Sequence, residues 1–330
     1  MMKDRFKITV FILIMLVIVS GCQNTSQQQQ QQESQREEGA INQSAEPFLS
    51  FKDFDGQLVT LQDKPQKIVV LNDQVLHSFY QVGGTAVGIT NTFNIDPPKE
   101  AADLPRVGFM HQVNIEKVVE LQPDLVIGQR FDHANLREIL KEANIPIANL
   151  NTQSIEDIRQ NTILMGKITG NEQKAKELVE KMNSEINEVI DRIPDEKEMP
   201  SYAILTVMGD AAFVEQGSTI AVDIADQLKL RNATLSLDGE VMAGYIPFSM
   251  EEMVMIDPDY LFIISHTTDE EAEKMIESNF KSNPAWRSLS AISNDRMYFL
   301  PKVKFAIAPG VEVVDSYKYM ADLIAPSESN

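Results

Sequence analysis

The chain of 330 residues has one cysteine, which excludes an internal disulfide and any cysteine-based zinc cluster. Positive charge is scarce too: 29 Lys and Arg stand against 49 Asp and Glu, a net charge of −20. A phosphate backbone wants a basic face, so nucleic acid is excluded as the main partner. The apolar run Ile8 to Val19 has 12 residues, short of the ~20 that span a bilayer. Enzyme signatures are missing as well. There is no Gly-x-Ser-x-Gly elbow, no Walker loop and no His-Glu-x-x-His. Gly83-Gly84 with Gly88 precedes a strand, whereas a dinucleotide fingerprint follows one and opens a helix, so that reading is rejected. The four histidines, His77, His111, His133 and His266, are scattered, with no spacing that predicts a metal site.

What is present begins with an address. Lys3, Arg5 and Lys7 precede the apolar run, and Val19-Ser20-Gly21-Cys22 ends it. Basic start, apolar middle and small residues are the parts of a secretory signal. Val-Ser-Gly-Cys resembles the bacterial lipobox. That resemblance implies loss of residues 1–21 and a lipid on Cys22, anchoring the chain at the outer face of the cell membrane. Two or three acyl chains anchor stably where one is marginal. Residues 22–46 are poor in apolar groups and include Gln27 to Gln32, six glutamines in a row. Such a stretch buries too little surface to offset its ordering entropy, so a disordered tether is expected.

From Pro47 onward the pattern is globular, with chain enough for one large domain or two ordinary ones. Phe48 to Leu61 alternates around Asp55-Gly56, a hairpin signal. Short apolar β-branched runs follow at Lys67–Leu71, Ala86–Thr90, Leu125–Gly128 and Pro146–Leu150, with helical stretches between them. The second half repeats the alternation, with strands at Tyr202–Val207, Tyr260–Ile264 and Met297–Leu300. Strands alternating with helices predict a parallel sheet covered on both faces. Ile115 to Asp124 also aligns with Met250 to Asp259 at an offset of 135. Glu, Val, Pro and Asp coincide, so helix, Pro-Asp turn and buried strand make one unit used twice. Between the halves, Ser154 to Arg192 is helical in pattern apart from Thr169-Gly170-Asn171. It fits either two ordinary surface helices or a rigid strut between lobes.

Ligands in open α/β sheets sit beyond the carboxyl ends of the strands. The residues that follow the predicted strands are therefore the candidates. They include Asn72–Gln74, Asn91–Asn94, Gln129–Phe131, Met208–Phe213, Ser265–Thr267 and Lys302–Phe305. Two loops precede the repeated helices, Gly108–His111 and Gly244–Phe248. Met, aromatic, His and a few cationic groups on one cleft suit a large ligand, partly apolar and partly anionic. Among the histidines, His111 and His266 are the best placed to touch it.

Gly108…Asn114-Ile115-Glu116-Lys117-Val118…Pro123-Asp124-Leu125-Val126-Ile127 resembles the first-lobe signature of one family. These are the substrate-binding lipoproteins of iron-siderophore, haem and vitamin B12 importers, the class III periplasmic binding proteins. Asn283 to Ile292 and Arg296 to Pro301 are similar to the second-lobe signature, and the likeness spans about residues 48–326. It implies an α/β fold of two Rossmann-like lobes joined by a long α-helix. The implied division is a signal peptide at 1–21, a tether at 22–46, lobes at 47–153 and 171–326, and a linking helix at 154–170. The resemblance also implies a monomer without catalysis, resident cofactor or directly bound metal. It would capture a ferric siderophore and deliver it to an ABC permease dimer with its cytoplasmic ATPase.

The positions matching the family's permease-docking glutamates are Glu116 and Glu251. Siderophore binders often carry Arg in a Pro-Gly-x-Arg run, whereas Pro309-Gly310-Val311-Glu312 stands here. Arg130, Lys302 and Lys304 are then expected to meet the ligand's anionic oxygens. Phe131, Met110, Tyr245 and Phe248 are expected to pack its organic frame. The alternative cargo is haem, with Met110, His111, Tyr245 or His266 on the iron. Cobalamin comes third, and a zinc or manganese ion after it.

Overall fold

A computed structural model describes residues 46–92, 96–194, 199–217, 219–239, 241, 244–266, 268–306 and 310–325. The signal segment, Cys22 and the tether up to residue 45 lie outside the described residues, as do 93–95, Thr267, Ala308 and Pro309. No described helix is long and apolar enough to cross a membrane. The chain from Pro47 onward forms one compact unit.

The unit opens with an antiparallel hairpin, β1 (Leu49–Lys52) and β2 (Leu58–Leu61), in the register Leu49 opposite Leu61. Its turn uses Gly56 at φ +74. The first sheet then comprises β3 (Ile68–Val70), β4 (Ala86–Asn91), β5 (Arg106–Phe109), β6 (Gln112–Val113), β7 (Leu125–Gln129) and β8 (Ile147–Leu150). Its spatial order is β6-β5-β4-β3-β7-β8, and only β6 runs antiparallel to its neighbour. Helices α1 (Leu76–Gln81), α2 (Ile115–Glu120), α3 (Arg130–His133) and α4 (Leu136–Glu142) intervene. Each strand face has its own core. Ile68, Val70, Leu125 and Ile127 belong to one, and Val69, Leu71 and Val126 to the other. Period-two side chains buried on both faces are the reason these strands read as unbroken apolar runs.

Next come α5 (Ile155–Ile168) and α6 (Glu172–Ile190). A capping box starts α5, with Asp157 N–H donating to Ser154 Oγ at 3.0 Å and Ser154 N–H to Asp157 Oδ2 at 2.9 Å. Ile155 and Ile158 of α5 lie in the second-lobe core, while Met165 and Ile168 lie in the first. On α6, Ala175 belongs to the first core and Met182, Ile186 and Val189 to the second. Both helices thus span both cores. The segment expected either as two surface helices or as a strut is a hairpin of two helices, each packed against both cores.

The second sheet comprises β9 (Ser201–Met208), β10 (Ala211–Glu215), β11 (Arg231–Asn232), β12 (Tyr245–Pro247), β13 (Tyr260–Ser265) and β14 (Met297–Leu300). Its order is β12-β10-β9-β13-β14, with β11 also on β9. Between and after these strands lie α7 (Ile220–Gln227), α8 (Met250–Ile256), α9 (Asp269–Ile276), α10 (Pro284–Arg287), α11 (Ser290–Ser293), α12 (Lys302–Phe305) and α13 (Val314–Ile324). Strands β9, β13 and β14 are parallel, but β10 and β12 are antiparallel additions at one edge. The segments Met208–Phe213 and Gly244–Phe248, expected as loops, are therefore partly strand. Their short runs pair because β9 offers an edge to β10, and β10 in turn offers one to β12.

The 135-residue repeat has a physical basis in both lobes. Asn114 caps α2 through Lys117 N–H, and Ser249 caps α8 through Glu252 N–H. Gln122 and Asp257, the residues just past each helix, both take positive φ, at 50 and 34. Asp124 accepts the N–H groups of Gln66 and Lys67, while Asp259 accepts that of Ser201. Each Pro-Asp turn so fastens the start of the sheet's central strand.

Candidate functional site

The first sheet, read as strands β5-β4-β3-β7-β8, reverses its winding between β3 and β7, the place where such sheets bind ligands. The segments just beyond those strands meet the carboxyl edge of the second sheet across a cavity of about 610 Å³. First-lobe walls come from Asp73 and Gln74 after β3, Met110 and His111 after β5, Phe131 and Asp132 after β7, and Thr152 and Gln153 after β8. Opposite them stand Met208 of β9, Thr219 before α7, Tyr245 of β12, His266 after β13, and Lys302 after β14.

The electrostatics of the two walls differ. On the first, His111 Nδ1 and Asp132 Oδ1 lie 2.5 Å apart. Burial pushes the Asp73 carboxyl above its usual range, with His111 opposing and Asp132 adding to the rise. On the second, burial and then the charge of Lys302 push the His266 imidazole below its ordinary value, so it is neutral at neutral pH. Its backbone is fixed by His266 N–H donating to Val207 O at 2.9 Å. Its Nε2 has no hydrogen-bond partner among the described residues. Lys302 Nζ donates to the His266 carbonyl at 2.9 Å, and burial lowers that amine. Among the described lining residues, Lys302 is the one Lys or Arg. Burial, and then the nearby Glu215, raise the Tyr245 phenol, which stays protonated.

Six of the expected ligand residues share this cavity: Met110, His111, Phe131, Tyr245, His266 and Lys302. Three do not line it. Arg130 stacks over the Phe131 ring at 5.5 Å and lies 3.8 Å from Asp55 on the hairpin turn. Phe248 packs into the second-lobe core with its ring 4.9 Å from Phe280. The Lys304 carbonyl receives Ser316 Oγ at 2.8 Å beside α13. Glu116 and Glu251 are exposed on the first turns of α2 and α8. Glu312 is also away from the cavity and accepts from Gln81 Nε2 at 2.9 Å. Thr152, Gln153, Asp132 and Thr219 were missed. The rule of looking past each strand end covers the first two, since β8 was legible. A more enclosed, apolar hollow of about 300 Å³ lies at the opposite edge of the second sheet, against Tyr260 at the start of β13. That edge is the wrong end of a parallel sheet for ligand capture.

The sequence profile of the periplasmic binding protein family matches residues 68–303. The chain belongs to this family. The uncharacterized ABC transporter substrate-binding lipoprotein YvrC of Bacillus subtilis is 26% identical over 335 residues, covering 98% of both chains. The Fe(3+)-citrate-binding protein YfmC of the same organism is 25% identical over 293 residues, covering 87% of this chain and 86% of that one. Among solved structures, Staphylococcus aureus IsdE complexed with heme superposes with a TM-score of 0.69 at 22% identity, over 79% of this chain and 99% of that chain. The fold is that of class III periplasmic binding proteins: two α/β lobes about a cleft, joined by helix. The chain is a solute-binding protein of an ABC importer, and its relatives are substrate-binding proteins rather than enzymes.

Proposed function

We propose that this member captures haem outside the cell membrane and passes it unchanged to an ABC permease. The observation that carries this reading is His266: a half-buried, neutral imidazole whose Nε2 has no partner among the described residues, at the wall of a large cleft. A buried ring nitrogen without a partner is costly unless a ligand engages it, and in the tautomer that leaves Nε2 unprotonated haem iron would be such a ligand. Met110 and His111 stand on the opposite wall with a soft and a nitrogen donor. Tyr245, Phe131 and Phe305 give the apolar surface a macrocycle needs. Heme-bound IsdE shares the fold.

A ferric siderophore or citrate chelate is the second reading, favoured by the YfmC likeness and by Arg130, whose ion pair with Asp55 is long and partly exposed. It ranks second because a multiply charged chelate wants several cations, and Lys302 is already engaged by a carbonyl. Titrating the purified lipid-free protein with haem should produce a Soret band, and His266→Ala should weaken that binding at least tenfold. Retention of ferric citrate with no Soret change would transfer the assignment to the second reading.

Delivery needs contact with the permease from both lobes. Glu116 and Glu251 occupy equivalent exposed positions in the repeated unit and suit two basic sockets on a two-fold partner. Both carboxylates also favour their own helix N-termini. Replacing both with Ala should abolish haem-dependent growth while leaving haem binding intact; unchanged growth would reject docking through these groups. Lipid attachment at Cys22 completes the proposal, holding the capture unit near its permease through the 22–46 tether.

A further inference from the structure

Helix α3 is a single turn, and such turns do not persist by propensity. Two features hold it. The Gln129 side chain accepts the N–H groups of Phe131 at 2.7 Å and Asp132 at 3.4 Å, capping its start. Gly128 lets it fold back onto the sheet, since a Cβ there would lie 3.1 Å from His133 Cβ and 2.3 Å from Asn149 Oδ1. The turn's last residue, His133, is 1% exposed and spans two backbones. Gln129 N–H donates to its Nδ1 at 2.7 Å. That fixes the tautomer: Nδ1 accepts, so Nε2 carries the hydrogen and donates to Met110 O at 2.8 Å. The preceding residue, Asp132, engages His111 Nδ1, turning Nε2 of that imidazole outward. One helical turn therefore grips both consecutive residues of the Gly108–His111 loop, and both line the cleft.

From this geometry we infer that His133 is a positioning residue of the binding site, holding the Met110–His111 wall in its ligand-facing place before cargo arrives. It does not touch the ligand; it acts through the Met110 carbonyl. A wall ordered in advance spares the ordering cost at binding. The inference rests on the assignment of this cleft as the capture site, but its first test does not need cargo.

That test is amide hydrogen exchange at residues 109–112 in the cargo-free protein. His133→Ala should speed exchange there about tenfold, the weight of one buried hydrogen bond, and leave the second lobe unchanged. His133→Gln, whose amide can still donate to Met110 O, should restore slow exchange. Haem affinity should follow the same pattern, about tenfold weaker in the Ala variant and recovered in the Gln variant. Unaltered exchange in His133→Ala would overturn the inference, as would a Gln variant no better than Ala, or a loosened loop with unchanged affinity. Failure of the wild type to take up haem would sink the cargo assignment alone, because the exchange result still decides the role of His133.

Discussion

Glu215 on β10 is buried, and its carboxyl oxygens accept the hydroxyls of Thr206 and Thr219. Burial pushes its carboxyl above the usual 4.5, and the two hydroxyls only partly oppose this. The sign of the linkage follows. Above pH 4.5 the unfolded chain gives up this proton while the folded chain keeps it, so stability falls as pH rises toward the raised folded value. A glutamine has the shape of the neutral acid and no proton to lose. Glu215→Gln should therefore gain stability relative to wild type as the pH rises from 4.5 to 7.5, with the gap closing again toward pH 4.5. Urea midpoints at the two pH values measure it, and no relative gain between them would reveal an ionised carboxylate. Glu215 also supports the cleft, because Thr219 both donates to it and caps Val222 N–H of α7. Nothing in the local sequence around Glu215 advertises such a residue: its meaning depends on two hydroxyls brought in by the fold. Phe131, His266 and Lys302 were legible because a strand end can be read from a buried apolar run, and Met110, His111 and Tyr245 because their segments precede the repeated helix. Arg130, Phe248 and Lys304 sit beside the same strand ends, yet direction of the side chain, set by partners such as Asp55 and Phe280, turns them elsewhere.

At the scale of elements, helices and central strands were legible because their burial imposes a period. Strands β10 and β12 were not, since three to five residues carry too little pattern and their pairing is decided by the neighbouring strand, β9 for β10 and β10 for β12. The α5–α6 hairpin shows the same division between local and tertiary causes. A glycine inside a helix is worth about 1 kcal/mol less than alanine by propensity, so Gly166→Ala ought to stabilise α5 if only local energy mattered. A Cβ at 166 would lie 2.3 Å from the Cβ of Ala175 on α6, and both are helix-bound atoms that cannot swing aside. The close approach lets Met165 and Ile168 reach the first-lobe core. Overpacking of this kind typically costs about 1–3 kcal/mol, which outweighs the propensity gain. Gly166→Ala should therefore lower the thermal midpoint, and Ala175→Gly in the same chain should recover part of the loss. A stabilised single variant would mean that the two helices separate more easily than their packing indicates.

At the scale of the whole unit, the relative placement of the lobes depends on more than the helical hairpin. The turn Gly310–Val313 of the C-terminal segment sits on α1 of the first lobe, and Gln81 donates to Glu312 across that seam. The departure at Glu312 from the siderophore-binder pattern thus has a structural counterpart: the side chain reaches the other lobe instead of the cargo. Such a contact between residues 231 apart leaves no trace in local periodicity. Gly310 is the tightest point. Its φ is +60, and a Cβ there would fall 1.8 Å from Ser78 Oγ and 3.2 Å from Ser78 Cβ. The glutamine–glutamate bond is exposed and contributes little, so Glu312→Ala should leave haem affinity within about threefold of wild type. Gly310→Ala combines backbone strain with a wedge between lobes, a cost of about 1–3 kcal/mol, and the lobes are the parts free to yield. Small-angle scattering should record a larger radius of gyration for the cargo-free Gly310→Ala protein, with weaker haem binding. Adding Ser78→Ala removes the nearer of the two clashing atoms and should draw both values back toward wild type. If Gly310→Ala destabilises the chain with no change in radius or affinity, the seam supports folding of the second lobe and does not set the opening of the cleft.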